Sequence, residues 1–505
     1  MNALDDLFGN GMREILESRV GVFPLFVYCF NDILTKRLYS GLVNDRRSDR
    51  GSEQLGGMHR NSIMHQIKRV SKIRPYLKNF LKRNPNVEKA DVMFISRYRP
   101  VNINDRQRLK TDYLFNPVVK EVYKSPLRPK MAIVALWGQG RRYTDDRVSN
   151  FNLFDFLSLR SLFKSMFRSI SLYFKYRKIV SRLSNAQKKM FSEFFSFPSL
   201  LFCHLLDFCL DKTIQNLKPK VIVANNEALP FKPYTTHESK LIVLQSALIA
   251  EQMERHRNLL FSSFLEDRLL SDYFCVSGSQ SESLKQRFLK DTKRIVLTGQ
   301  PRFDNLAKAD ELFDRNEIRR KFGLAADRKT LLWTTETHAL SLEENKENIS
   351  TVYDAVNSLE NVQLVIKLHP AEDQEALLYR QDQSYSPIIV KGNQDVSELL
   401  YICDVMITKF STTAIEAAIL NKPIIVLNLS AEPDIMPYVE KGVAIGVYEK
   451  GALVSAIKDV IYKEEVRGKL AKGREEFVYE YAYLQDGKAS ERVANLMIQL
   501  IEETR

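Results

Sequence analysis

The sequence predicts an α/β protein built from two consecutive parallel-sheet domains that face each other across a cleft. Three observations carry that expectation. Short, fully apolar runs recur along the chain and read as strands buried on both faces. Helix-like segments with glycine or proline stops alternate with them. The stretch 363–428 contains strand, turn, helix and strand in order, a βαβ unit. A length of 505 residues exceeds one ordinary core, so two domains plus additions are expected.

Residues 1–88 read as a polar, helical N-terminal extension without a catalytic pattern. The first convincing strand is D-V-M-F-I-S at 91–96, which runs into R-Y-R-P, where Arg97 is either an anion contact or part of a solvated loop. M-A-I-V-A-L at 131–136 is the second. Residues 151–215 read as a helical insertion rich in Phe and Leu. K-V-I-V-A at 220–224 precedes Glu227, and L-I-V-L-Q at 241–245 ends on Gln245. D-Y-F-C-V-S at 272–277 and a strand over 294–298 complete a domain spanning 89–305. A second series, 306–505, contains K-T-L-L-W-T-T at 329–335, Q-L-V-I-K-L-H-P at 363–370, V-M-I-T at 405–408 and I-I-V-L at 424–427, then C-terminal helices.

Composition narrows the function classes. Apolar residues make up 44% and charged residues 27%, values of a soluble globular protein. The first apolar run, 20–30, is broken by Pro24 and stopped by Asn31, and the N-terminus lacks the basic-then-apolar pattern of a signal peptide. Five scattered cysteines without a C-x-x-C predict a reduced, cytosolic protein without structural zinc. The net charge of +13 is concentrated: Arg160, Lys164, Arg168, Lys175, Arg177, Lys178 and Arg182 lie in a stretch, 156–189, that has no acid. Leu159, Phe163, Met166, Phe167, Ile170 and Phe174 share its helical spacing. Such a helix either docks on an anionic membrane surface or packs on its domain with a solvated basic face. The aromatic residues sit at core-like spacing, which argues against nucleic acid.

Polar residues gather where the strands of 363–428 end: Lys367, His369, Pro370, Ser411, Thr412, Thr413 and Glu416. Ligands of open α/β sheets bind outside the carboxyl ends of strands. Hydroxyls and free N–H groups at a strand-to-helix turn suit a phosphate, although one of them would serve as an ordinary cap. Lys367 and His369 share a strand face and supply donors. Glu416 suits a ribose diol or the helix dipole. No P-loop, dinucleotide glycine motif or nucleophile elbow occurs, and no two histidines have metal-ligand spacing; the metal expectation is none.

These motifs resemble a known group. K-L-H-P (367–370), S-T-T-x-x-E-A (411–417) and N-K-P-I-I-V (421–426) look like the donor domain of GT-B transferases, whose fold is two Rossmann-like domains about a cleft. More narrowly they are similar to surface-polysaccharide enzymes: CDP-glycerol glycerophosphotransferases, capsule Kdo transferases and polysialyltransferases, with the UDP-GlcNAc 2-epimerase fold as a relative. T-G-Q-P-R-F-D (298–304) and D-G-K-A-S-E-R (486–492) look like that group's interdomain turn and closing helix. The resemblance implies a nucleotide-activated sugar donor, with no further cofactor, held through its phosphates by Lys367, His369, Pro370 and Ser411–Thr413 and through its ribose by Glu416. It implies a catalytic pair of His369 and Glu227, the latter as base, and an acceptor side including Arg97 and Gln245. Q-S-A at 245–247 stands where many relatives carry Q-H-G. The expected activity is metal-independent glycosyl transfer to a glycan or lipid-linked acceptor of the cell envelope, at the cytoplasmic face of the membrane. Polyol-phosphate transfer from a CDP-polyol and a non-catalytic scaffold are the alternatives.

Overall fold

The structure is a computed structural model. It describes residues 87–504 apart from 97–99, 102–110, 113, 137–146, 182–196, 226–238, 246–270, 289–293, 337–339, 370–371, 373–376, 382–383, 392–393 and 431. The readings placed on residues 1–86, Arg97, Glu227, Ser246, Ala247 and Pro370 lie outside the described residues.

Two parallel sheets organise the chain. The first contains β1 (Val92–Ser96), β4 (Met131–Ala135), β5 (Val148–Asn152), β6 (Val221–Ala224), β7 (Lys240–Leu244), β8 (Tyr273–Val276) and β9 (Ile295–Leu297), in the order β5-β4-β1-β6-β7-β8-β9. A separate two-residue pairing joins β2 (Pro100–Val101) to β3 (Thr111–Asp112). The second sheet contains β10 (Lys329–Thr334), β11 (Val362–Lys367), β12 (Ile388–Val390), β13 (Val405–Thr408), β14 (Ile424–Leu427) and β15 (Ala444–Val447), in the order β12-β11-β10-β13-β14-β15. Parallel pairing puts all carboxyl ends of a sheet on one edge, which is where the polar motifs fall.

The strands are apolar throughout because both faces are covered. In β1, Met93 and Ile95 join a core with α3 (Phe197–Leu217), through Leu206, Cys209 and Leu210. Val92 and Phe94 join the opposite core with α1 (Phe115–Tyr123) and α11 (Ala489–Glu503), through Phe115, Val118, Val493, Met497 and Leu500. In the second sheet, Leu331 and Trp333 meet α6 (Leu342–Asn357) and α9 (Ala452–Tyr462). Leu332 and Met406 meet α7 (Ser397–Ile402), α8 (Thr413–Ile419) and α10 (Glu464–Ala482). Local signals set the ends: Ser341 and Glu344 form a capping box on α6, and Asp314 caps α5 (Arg315–Phe322), which stops at left-handed Gly323.

Three sequence expectations change. Residues 151–215 are not a uniform helical insertion. V-S-N-F-N at 148–152 forms the edge strand β5, whose mostly half-buried residues carry no continuous apolar signature because an edge strand has only one neighbour. Within the same stretch, α3 is a core helix of the first sheet. The C-terminal helices are divided as well: α11 completes the first sheet's core, so residues 306–505 do not all pack on the second sheet.

The third change concerns α2 (Leu159–Val180). The apolar spacing is helical, as read, yet the stripe faces outward: Phe163 is 67% and Phe167 77% exposed, and Leu159, Ile170 and Phe174 are exposed with them. The packed face is a row of serines, Ser161, Ser165 and Ser169, all buried against α3. Small residues at that spacing allow two helices to approach closely, with Leu172 buried and Leu162 half-buried beside the serines and the aromatic side chains of the stripe outside. Beneath it, burial and the nearby Arg168 charge hold His204 down to about 4, and burial pushes Asp207 up to about 7.

Candidate functional site

The carboxyl edge of the second sheet is organised by the end of its central strand. Two residues beyond β10, Glu336 is buried and accepts a hydrogen bond from the Thr408 hydroxyl at 2.5 Å and from the Phe410 N–H at 3.3 Å. Those contacts fix the turn that follows β13. Next to it, the Thr335 hydroxyl donates to the Glu372 carboxylate and accepts from the His369 N–H at 3.2 Å. Glu372 also accepts from His369 N–H at 3.3 Å. Adjacent residues of one strand end thus hold both motif turns, His369 on one side and Ser411 on the other. Burial pushes the Glu336 carboxyl up to about 7, opposed by its donors and reinforced by the neighbouring Glu372 charge. Thr335, Glu336 and Glu372 were missed in the sequence. The available signal was T-T-E directly after an apolar strand.

The sequence-predicted residues fall around this support. His369 is half-buried just past β11. Lys367 is buried, and its ammonium donates to the Leu368 carbonyl at 2.9 Å. Ser411, Thr412 and Thr413 are half-buried. The Ser411 N–H donates to Thr408 Oγ1 at 3.0 Å, its hydroxyl donates to Thr413 Oγ1 at 3.0 Å, and its carbonyl accepts from the buried Tyr438 at 2.8 Å. Thr412, at the N-cap position of α8, makes no side-chain cap, so capping does not account for this hydroxyl. Two strand widths, about 10 Å, separate the His369 turn from the Ser411 turn. A ligand that touches both is longer than a single phosphate. Lys409, also unread in the sequence, lies beyond β13 and reaches Glu344 at 3.3 Å and Ser430 at 3.2 Å.

Glu416 lies buried in α8, 3.3 Å from the Arg302 guanidinium. Arg302 belongs to the turn that leaves the first sheet, and this pair joins the two halves. The turn is firmly held. Gly299 takes a φ of 79°, a left-handed conformation that favours glycine. Asp304 accepts from Ala489 N–H at 2.9 Å and Ser490 N–H at 2.8 Å, and Arg492 donates to the Thr298 carbonyl at 2.7 Å. The two segments read as interdomain turn and closing helix are therefore in direct contact. Elsewhere along the seam, a Cβ on Gly278 would lie 2.1 Å from the Glu480 carbonyl, so α4 (Ser279–Phe288) and α10 meet backbone to backbone.

Gln245 is employed inside the first half. Its side-chain oxygen accepts from Ser277 N–H at 2.9 Å, its amide donates to Ser281 at 3.0 Å, and its carbonyl accepts from Gln300 at 2.6 Å. Among the described residues, no group of three or more His, Cys, Asp or Glu side chains is placed to hold a metal ion.

Residues 207–499 match the family model described as CDP-glycerol:poly(glycerophosphate) glycerophosphotransferase. The chain belongs to that family. It is 22% identical over 242 residues to a teichoic acid glycerol-phosphate transferase of Staphylococcus aureus (strain NCTC 8325 / PS 47). That match covers 45% of this chain and 60% of the relative, so the chain spans about three fifths of the curated protein's length. Among solved structures, the wall teichoic acid polymerase TagF soaked with CDPG aligns over 88% of this chain and 98% of its own, with a TM-score of 0.51 and 15% identity. A UDP-GlcNAc 2-epimerase from Neisseria meningitidis, bound to UDP-GlcNAc, aligns over 82% and 100% with a TM-score of 0.51 and 14% identity. At those identities the structural likeness establishes the fold, which is GT-B. The glycerophosphotransferase family's matched segment contains the whole second sheet, both motif turns and the Arg302 hinge.

Proposed function

We propose that the protein transfers a polyol phosphate from a CDP-polyol to a hydroxyl of a growing cell-surface polymer. The observation that carries this is the pair of half-buried turns, His369 and Ser411–Thr413, hung on one buried strand end at the carboxyl edge of the second sheet. Membership of a family described as CDP-glycerol:poly(glycerophosphate) glycerophosphotransferase supports polyol-phosphate transfer, which the motifs alone barely separate from sugar transfer. The acceptor oxygen forms a bond to the phosphorus that bears the polyol, the bond from that phosphorus to the CMP oxygen breaks, and the acceptor proton passes to a base. Charge grows on the departing CMP phosphate. His369, the Ser411 and Thr413 hydroxyls and Lys367 are the groups that offset it, and donors aimed at developing charge lower a barrier most. Glu416 takes the ribose hydroxyls. Glu227 is the base suggested by sequence.

Release of nucleotide from CDP-glycerol and from UDP-sugars, measured with wild type and His369→Ala, tests this reading. CMP release that falls at least a hundredfold in the variant is expected. Release of UDP alone would replace the polyol reading with glycosyl transfer. No release, together with no thermal shift by any nucleotide, would leave a non-catalytic scaffold.

We also infer that the protein works as a peripheral protein against an anionic membrane surface, through α2. The outward Phe163, Phe167 and Phe174 stripe, flanked by exposed Arg160, Lys164, Arg168 and Arg177, supports this reading. Among the described residues no helix is long and apolar enough to cross a membrane. Flotation with phosphatidylglycerol vesicles is the test. Binding that is salt-sensitive and lost in Phe163→Glu/Phe167→Glu is expected, and equal binding by that double variant refutes the assignment to α2.

A further inference from the structure

An ionised carboxylate holds both hydroxyls of a diol more strongly than a protonated one, whose own O–H becomes a donor and whose acceptor strength falls. Glu416 is poorly placed to stay ionised on its own, because burial raises its pKa. The groups that face it come from four elements. Arg302 approaches from the hinge turn after β9 and Lys367 from the end of β11; both favour the charged form. Asp395, ahead of α7, opposes it, and the Tyr438 phenol, buried nearby, is held neutral by its own burial and by the surrounding carboxylates. Arg302 is the first of the favourable influences and forms an ion pair with Glu416, at 3.3 Å. Its guanidinium is aimed from a turn bonded to α11 through Asp304 and Arg492, and to β7 through Gln300.

We propose that Arg302 is a positioning residue for the donor: supplied by the first half of the molecule, it keeps Glu416 of the second half charged and oriented for the ribose hydroxyls. The proposal rests on the nucleotide-donor reading above. Its consequence is that ribose recognition by the second sheet depends on the hinge between the halves. A donor site that loses Arg302 retains its phosphate contacts at the His369 and Ser411 turns and loses its grip on the sugar as Glu416 takes up a proton.

The test is calorimetric titration of CMP and of 2′,3′-dideoxy-CMP into the full chain from pH 6 to 8.5. The variants are Arg302→Met, Arg302→Gln, Arg302→Lys and Glu416→Gln. Taking the ratio of the two affinities cancels the titration of the nucleotide phosphate itself. Wild type is expected to favour the ribonucleotide about tenfold or more at every pH, the scale of hydrogen bonds to a charged group. In Arg302→Met and Arg302→Gln that preference should shrink as pH falls across the range, more steeply than in wild type. Arg302→Lys should restore it, and Glu416→Gln should lack it throughout. Two uncharged replacements keep the experiment decisive if one of them folds poorly. A preference in Arg302→Met and Arg302→Gln that matches wild type across the pH range overturns the proposal alone. A wild type that binds CMP without ribose preference overturns it as well. No CMP binding by wild type overturns the donor reading and this proposal with it.

Discussion

In the first sheet, the polar side chains of Ser96 and Gln245 at the strand ends are taken up by the fold. Ser96 donates to Asp112, which in turn accepts from Leu114 and Phe115 N–H at the start of α1. Gln245 ties β7 to the turn after β8. In the second sheet the buried polar groups, Thr335, Glu336, Glu372 and Thr408, bond to one another and to the backbone of two turns. The residues those turns carry, His369 and Ser411–Thr413, are left half-buried at the edge. A polar residue at a strand end is therefore not a site by virtue of its position. It becomes one when a second layer of buried groups holds its turn and leaves its own side chain toward the ligand.

The strongest way to break this contrast is Glu336→Ala. It removes the acceptor of the Thr408 hydroxyl and the Phe410 N–H together. A loss of roughly 2–5 kcal/mol in urea unfolding is expected, with CMP binding abolished. Full CMP affinity in a folded Glu336→Ala protein would show that the turn is held by other means.

Glu336 also predicts a pH dependence. Its carboxyl titrates at about 7 in the folded protein against 4.5 for the free group, so the folded state holds the extra proton between those values. Stability contributed by this group therefore falls as pH rises from about 4.5 to 7. Thermal melts of Glu336→Gln should show a flatter slope over that window than wild type, and an unchanged slope would assign the titration elsewhere.

Gly278→Ala sharpens the comparison at the seam. Its new Cβ meets the Glu480 backbone, which cannot rotate away, and about 1–3 kcal/mol of stability should be lost. A melting temperature equal to wild type would mean that α4 and α10 part easily. The smallest effect belongs to Gln245→Ala. Leaving Ser277 N–H without its acceptor costs about 1–2 kcal/mol, while CMP affinity stays within about twofold. If transfer collapses with stability intact, Gln245 serves the acceptor, as its place in the sequence suggested.

Much of the architecture was legible because the strands of both sheets are buried on two faces and stand out as apolar runs. β5 escaped because its V-S-N-F-N half-faces solvent, and β12 because it is three residues long. His369 and the S-T-T turn were legible because a strand, a turn and a helix start sit within a few residues of each other. Thr335, Glu336 and Glu372 were not. Their role depends on β10 lying between β11 and β13, an order that no local pattern encodes. For α2, periodicity gave a stripe but not its direction, since a helix can be packed by its serines as well as by its aromatics.

The placement of α11 carries a consequence for how the chain is made. Val92 and Phe94, near the start of the described sequence, share a core with Val493, Met497 and Leu500. During synthesis the first sheet emerges early, but one of its faces is covered only in part, by α1, until residues 489–503 leave the ribosome. It must wait, with an apolar surface open to aggregation, while the second sheet, whose elements are all contiguous, assembles ahead of it. Ribosome-bound chains stopped before residue 489 should accordingly bind a hydrophobic dye or a holdase chaperone and release it once α11 is added.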